Sequence, residues 1–326
     1  MIGLVLSLIA IVLGSSSPLQ APSDFVGRWQ LQADRPDGQA IEIQVAHDAA
    51  SSWIKVERHY ADRATADVCV VIASAAMIGT CHATWRGSSL VLRWGGNGGQ
   101  GAAPPIPDHE EVWSLAGDGV LDVDVTERLR RGTLSETHLS YRRASRPTAR
   151  DGENLLGNPN ADAAMADWLT AGDAAVQSCG GNPCFVIRDR GSFQQSVWLP
   201  AEAAGRYLVM QGWGASERIN VDRAITGLPY LYGMALVADG SRILDYFQDR
   251  HAMAQADRPN QWVAMWGVYR VPAGAERLTF QLAQAERQGV PQNGSAARFD
   301  DLGCYLFSNE SAALAHLAAW LAQGRP

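Results

Sequence analysis

No stretch of this chain masses basic charge. Its 27 Lys and Arg are scattered among 34 Asp and Glu, giving a net charge of −7. Binding a phosphate backbone requires a concentrated positive face that releases counterions, so nucleic acid is excluded as a partner. Also missing is an apolar run of membrane-spanning length. The amino-terminal run, Ile2 to Leu13, falls short of the roughly 20 residues a transmembrane helix needs. There is no Gly-x-Ser-x-Gly elbow, no His-Glu-x-x-His and no phosphate loop, so the common hydrolase and nucleotide templates have no support. The five cysteines contain no Cys-x-x-Cys and fit no zinc spacing. Gly96-Asn97-Gly98-Gly99-Gln100-Gly101 matches the dinucleotide fingerprint by letter. Ala102-Ala103-Pro104-Pro105 follows it, however, leaving no helix terminus to receive a pyrophosphate. His47, His59, His82, His109 and His138 are dispersed without ligand-type spacing. Glu110 with Glu111 and Asp300 with Asp301 are neighbours in sequence. Adjacent strand residues point to opposite faces, so neither pair is an acid/base couple. No catalytic residue is assigned.

What is present describes a folded, exported molecule. A hydrophobic share of 47% with 19% charged residues is globular composition, and 326 residues exceed one ordinary core, so two domains are expected. Residues 1–21, apolar and then small and polar up to Leu19-Gln20-Ala21, have the architecture of a cleaved signal peptide. The mature protein is expected to be secreted or periplasmic, with no stable membrane span after cleavage. Cys179 and Cys184 flank the turn sequence Gly-Gly-Asn-Pro, and Cys69 and Cys81 are placed to close a hairpin. Both are disulfide candidates suited to an oxidising compartment. Cys304 is then left over, or takes Cys184 in place of Cys179.

From Phe25 onward the chain alternates with period two, most cleanly in Ile41 to Val45 and Leu121 to Val125. This is the pattern of strands with one buried and one wet face. Gly, Asp and Pro turns connect such runs as a meander, and closing a meander into a barrel hides its edges. Phe25-Val26-Gly27-Arg28-Trp29, Trp85 to Leu90, Glu111 to Leu115 and Leu139 to Arg143 resemble secreted bacterial lipocalin-like domains. The resemblance spans residues 25–143 and implies a small antiparallel barrel in which Trp29 plugs the floor. The Gly-Pro-rich insert Gly95 to Pro107 departs from that pattern. Residues 144–151, with Arg146 and Arg150 around Pro147, read as an exposed linker.

The second half opens with Asn154-Leu155-Leu156-Gly157-Asn158-Pro159 and closes with Ala297 to Phe307. This pairing resembles galactose-binding-like jelly rolls, including carbohydrate-binding modules of bacterial glycoside hydrolases and the F-box-associated domain of glycan-recognising F-box proteins. It covers residues 152–307 and implies a β-sandwich. Residues 308–326 are expected to form a short helix, capped by Ser308 or Asn309, with Leu314, Leu317, Trp320 and Leu321 on the face that packs back on the sandwich. The fold expected is therefore all-β, a barrel followed by a jelly-roll sandwich and a carboxyl-terminal helix.

Ligand-binding candidates are Trp213, Glu217, Arg218, Tyr230 and Tyr232, joined by Asn293 in the later segment Gln288 to Ser295. Aromatic faces stack on sugar rings while charged and amide groups fix hydroxyls. The competing reading makes the aromatics sandwich core. The jelly-roll resemblance implies a structural calcium at Asp301, with help from the loop Asn158 to Asp162; simple backbone bonding is the alternative, and no other cofactor is expected. The function expected is a secreted, non-catalytic binding protein recognising a carbohydrate or small extracellular ligand. A protein-interaction module of a cell-surface assembly, or a hydrolase accessory protein, is the alternative.

Overall fold

The computed structural model describes residues 22–32, 39–48, 53–71, 81–94, 108–116, 119–128, 133–217, 228–248, 250–254, 258–284 and 296–325. The signal segment, the insert 95–107, Arg218 and Asn293 lie outside the described residues. The chain is nearly all β. Nine strands close into a barrel in sequence order: β1 (Gly27–Leu31), β2 (Glu42–Asp48), β3 (Trp53–His59), β4 (Ala64–Val71), β5 (Cys81–Arg86), β6 (Ser89–Trp94), β7 (His109–Ala116), β8 (Val120–Arg128) and β9 (Leu134–Arg143). The alternation in β8 does what its pattern requires. Leu121, Val123 and Val125 are buried while Asp122 and Asp124 point outward.

The barrel is antiparallel, as expected, except at one seam. An odd number of alternating strands cannot close with every neighbour antiparallel, and here the parallel junction is β4 against β5, pairing Val70 with His82 and Val71 with Ala83. The Cys69–Cys81 disulfide sits beside that two-pair junction, so it staples a parallel seam and not the hairpin expected for it. The second bridge is Cys179–Cys184, and Cys304 is free and buried.

Large buried side chains occupy the described interior of the barrel. At one end Trp29 is fully buried, donates Nε1–H to the Phe25 carbonyl at 2.9 Å, and carries the Arg143 guanidinium 4.4 Å over its ring. Phe25 packs tilted on Trp85 and Trp113. Gly27 has φ +142°, and a Cβ there would press on the Arg143 guanidinium at 3.2 Å; glycine is required for this close entry. Toward the other end Arg58 spans the interior to Glu111 at 2.8 Å and to Asp67 at 2.7 Å. Trp113 and His109 also donate to the Glu111 carboxylate, and His109 reaches Glu127.

The sandwich comprises β10 (Leu169–Cys179), β11 (Asn182–Trp198), β12 (Tyr207–Ser216), β13 (Pro229–Leu236), β14 (Ile243–Phe247), β15 (Val263–Arg270), β16 (Arg277–Gln284) and β17 (Ala296–Phe307). β11 belongs to both layers. Phe185 to Arg188 pair with β17, whereas Ser192 to Trp198 pair with β16. The crossover falls at Gly191, where a Cβ would collide with the Asp173 carbonyl. Between the layers Trp168 packs on Phe185, Phe193 and Phe280. Asn154 ties the opening loop to the last strand, donating to the Leu302 carbonyl and accepting from the Cys304 amide.

The helix α1 (Glu310–Gln323) is capped by Asn309, whose side chain accepts from the Ala312 amide. Its buried seam is Ala313, Leu317 and Trp320, while Leu314 and Leu321 are exposed. The expected face is thus corrected. Positions 313, 317 and 320 follow the i, i+4, i+7 stripe that meets β12 and β17, and 314 and 321 flank it.

The two bodies touch through polar groups. Ser196 donates to Glu57 and Trp198 Nε1 to Gln44, each at 2.9 Å, and buried Arg277 lies 3.6 Å from Glu57. In the segment expected as an exposed linker, Arg146 donates to the Leu199 and Pro200 carbonyls.

Candidate binding face of the sandwich

β13 alternates strictly. Pro229, Leu231, Gly233 and Ala235 face the core, and Tyr230, Tyr232 and Met234 face outward. A left-handed Gly240 (φ +70°) turns the chain, with the Gly240 amide bonded to the Val237 carbonyl. This hairpin sets Tyr246 of β14 opposite Met234. Three rings therefore stand in file on one sheet face. Tyr230 and Tyr232 have centroids 6.2 Å apart, and Tyr232 and Tyr246 6.0 Å apart, at interplanar angles of 38° and 35°. Tyr246 is 50% exposed.

Amide groups border the file. Tyr232 pairs across the sheet with Gln281, which pairs with Gln194 on β11, and small Ala283 stands opposite Tyr230. The Tyr230 hydroxyl donates to Gln248 Oε1 at 2.6 Å, which fixes the ring. Burial, and then the neighbouring Tyr246, push the Tyr232 hydroxyl above its ordinary pKa, so it stays protonated at neutral pH. Tilted aromatic faces can take the apolar C–H side of a ring, and primary amides both donate to and accept from hydroxyls.

Of the candidates among the described residues, the structure brings together Tyr230 and Tyr232. Trp213 lies on the opposite outer face, with its ring 5.3 Å from Trp320 under α1. Glu217 stands just beyond β12, where Arg298 binds it at 2.7 Å and Arg188 approaches to 3.9 Å. Asp301 has φ +48° and accepts from Trp320 Nε1 at 2.8 Å, anchoring the helix. In the opening loop Asn158 is committed to its own backbone, donating to Ala164 and Ala166 and accepting from Ala163. Among the described residues no group of three or more His, Cys, Asp or Glu side chains is arranged to hold a metal. Tyr246, Gln248, Gln281 and Gln194 escaped the sequence reading. The signal that reaches Tyr246 is the Asp239-Gly240 turn, which fixes the β13–β14 register.

Fold and face define a nearly all-β protein, a barrel docked on a sandwich that presents an aromatic ledge. No known protein family matches the chain, and no curated protein matches it. Among solved structures it is similar to the enzymatically active domain of tailspike protein 4 from bacteriophage CBA120, at 14% identity and a TM-score of 0.33. That similarity covers 47% of this chain and 21% of the tailspike chain, so the match spans about a fifth of that protein. It is also similar to the carbohydrate-binding module TmCBM61, solved with β-1,4-galactotriose, at 18% identity and a TM-score of 0.31, over 48% of this chain and 100% of that one. The mannan-recognising module TmCBM27 is similar at 10% identity and a TM-score of 0.26, over 51% and 100% of the two chains.

Proposed function

We propose that this is a secreted or periplasmic non-catalytic binding protein that holds a carbohydrate on the tyrosine ledge of its sandwich. The observation that carries this reading is the file of Tyr230, Tyr232 and Tyr246, spaced about 6 Å apart and bordered by Gln194, Gln248 and Gln281. The ledge has hydrogen-bonding amides and stacking rings, the combination that recognises an uncharged hydroxylated ring. The barrel, similar in its motifs to lipocalin-like domains, serves as scaffold: Trp29, Trp113, Tyr141 and the Arg58–Glu111 pair occupy its interior. The two disulfides accord with export.

Glycan-array screening followed by calorimetric titration tests this. Tyr232→Ala, removing the central ring, is expected to weaken binding about tenfold, taking a stacked aromatic as worth about 1–1.5 kcal/mol. Its circular dichroism spectrum should be unchanged, because the ring is on the outer face. A glycan whose affinity is the same for wild type and Tyr232→Ala, or the absence of any glycan ligand, refutes the assignment.

A further inference from the structure

Beneath α1 the packing leaves a cavity of about 430 Å³, within the range of small-molecule sites, roughly 300–1,000 Å³. Gln211 of β12, Asp301 and Tyr305 of β17, and His316, Trp320 and Gln323 of α1 line it. Two of these carry buried polar atoms that have no hydrogen-bond partner among the described residues: Gln211, 2% exposed, at Oε1, and His316 at Nε2. A buried amide oxygen left without a donor is unfavourable, and such exceptions call for a physical cause.

The electrostatics of the lining are one-sided. Asp301 pairs with no basic side chain among the described residues and accepts only from the Trp320 indole. Its neighbour Asp300 is already matched by Arg325 at 2.9 Å, whose guanidinium lies 3.6 Å over Trp262. Aromatic faces complete the wall, with His316 4.4 Å from Tyr305. One unmatched carboxylate, one orphaned amide oxygen and several π faces complement a positive group that brings its own N–H donors. We infer that this cavity is a binding site for a small organic ammonium or guanidinium ion, separate from the tyrosine ledge. The ion's N–H groups bond Gln211 Oε1 and the Asp301 carboxylate, while its charge faces Trp320 and Tyr305. Burial lowers the His316 pKa below its ordinary value, so the imidazole is uncharged at neutral pH and does not repel the ligand.

The test uses the full chain and two probes of one shape, methylguanidinium and neutral methylurea, neither of them a sugar. Methylguanidinium is expected to shift the Trp320 indole N–H resonance saturably, and methylurea to bind at least tenfold more weakly. Asp301→Asn removes the charge but keeps an oxygen for the indole, so it should weaken methylguanidinium at least tenfold with the melting temperature unchanged. Should Asp301→Asn fail to fold, Gln211→Leu carries the test, since it deletes the orphaned acceptor at similar volume. If that variant is more stable and binds methylguanidinium as wild type does, the cavity is a packing gap and the proposal is wrong. It is equally overturned by an absent or unsaturable response, or by equal binding of methylurea. None of these outcomes depends on whether the ledge binds a glycan.

Discussion

Glu111 is the most heavily committed carboxylate in the barrel, and replacing it with glutamine is the sharpest probe of how that interior is held. Burial alone would raise its pKa, but Arg58 and His109 outweigh burial and hold it at about 2, against an ordinary 4.5. The difference of about 2.5 units is worth about 3 kcal/mol at roughly 1.4 kcal/mol per unit. Because the folded pKa is depressed, this stability is fully present above pH 4.5 and is lost as the pH falls toward 2. Glu111→Gln should therefore cost about 3 kcal/mol at pH 7, since it leaves the buried Arg58 charge with Asp67 as its one remaining counter-charge. The variant should also lack the wild type's steep loss between pH 4.5 and 2. Replacing both partners, Arg58→Met with Glu111→Leu, should recover only part of the loss, because apolar groups can replace the buried pair but leave the Trp113 and His109 donors without their acceptor. Urea denaturation followed by hydrogen exchange at the β7 and β8 amides reads the effect locally. A Glu111→Gln variant as stable as wild type at pH 7, or one whose acid profile is unchanged, would show that the pair carries no such energy.

Further outcomes follow from the same geometry. Removing Cys69–Cys81 by paired alanine substitution should lower stability by about 3 kcal/mol, because it opens a crosslink of sequence separation 12 at a seam where two residue pairs are seen among the described residues. Removing Cys179–Cys184, which closes a separation of 5 on an already paired hairpin, should cost less by denaturant titration. Truncation after Phe307 should lower the melting temperature and raise dye binding, since it uncovers Val209 and Trp213; an unchanged melting curve would show that the helix is not part of the sandwich. A calcium chelator should leave the melting curve unmoved, because among the described residues no second carboxylate joins Asp301 in a metal-holding group; a drop in melting temperature would instead place a structural calcium there.

How far the fold was legible depends on which physical constraint decides each feature. The alternation in Leu121 to Val125 and in Pro229 to Leu236 reports a strand directly, because period two leaves one face wet. The parallel seam was not legible: it follows from closing a ring of nine, which no short run of residues encodes. Arg58 and Glu111 break the alternation at inward positions, so they read as wet-face residues although each is the other's counter-charge. Trp213 looked like a ligand contact because β12 is covered on both faces, by core on one and by α1 on the other. Tyr230 and Tyr232 were legible as a pair. Their partner Tyr246 needed the hairpin register, and Gln194 and Gln281 needed the long-range order β13-β16-β11.

The position of the barrel bears on what the ledge can hold. Gln194 and Ser196 are successive outward residues of β11, and Gln281 and Thr279 of β16. Ser196 already bonds Glu57 of the barrel, so the open surface begins one outward residue from the docking contact. Ser196, Thr279, Met234 and Tyr246 lie on one cross-strand row, whereas Tyr230 shares its row with Ala283 and Ser192. The file of rings thus runs obliquely, from the row of Tyr230 to a row whose far end is bonded to the barrel. The proposed ligand, stacked on all three rings, would meet the barrel across the sheet from Tyr246. The same strand alternation that places polar groups outward for docking places the tyrosines outward for a ligand, and the two uses share the face without competing for a residue.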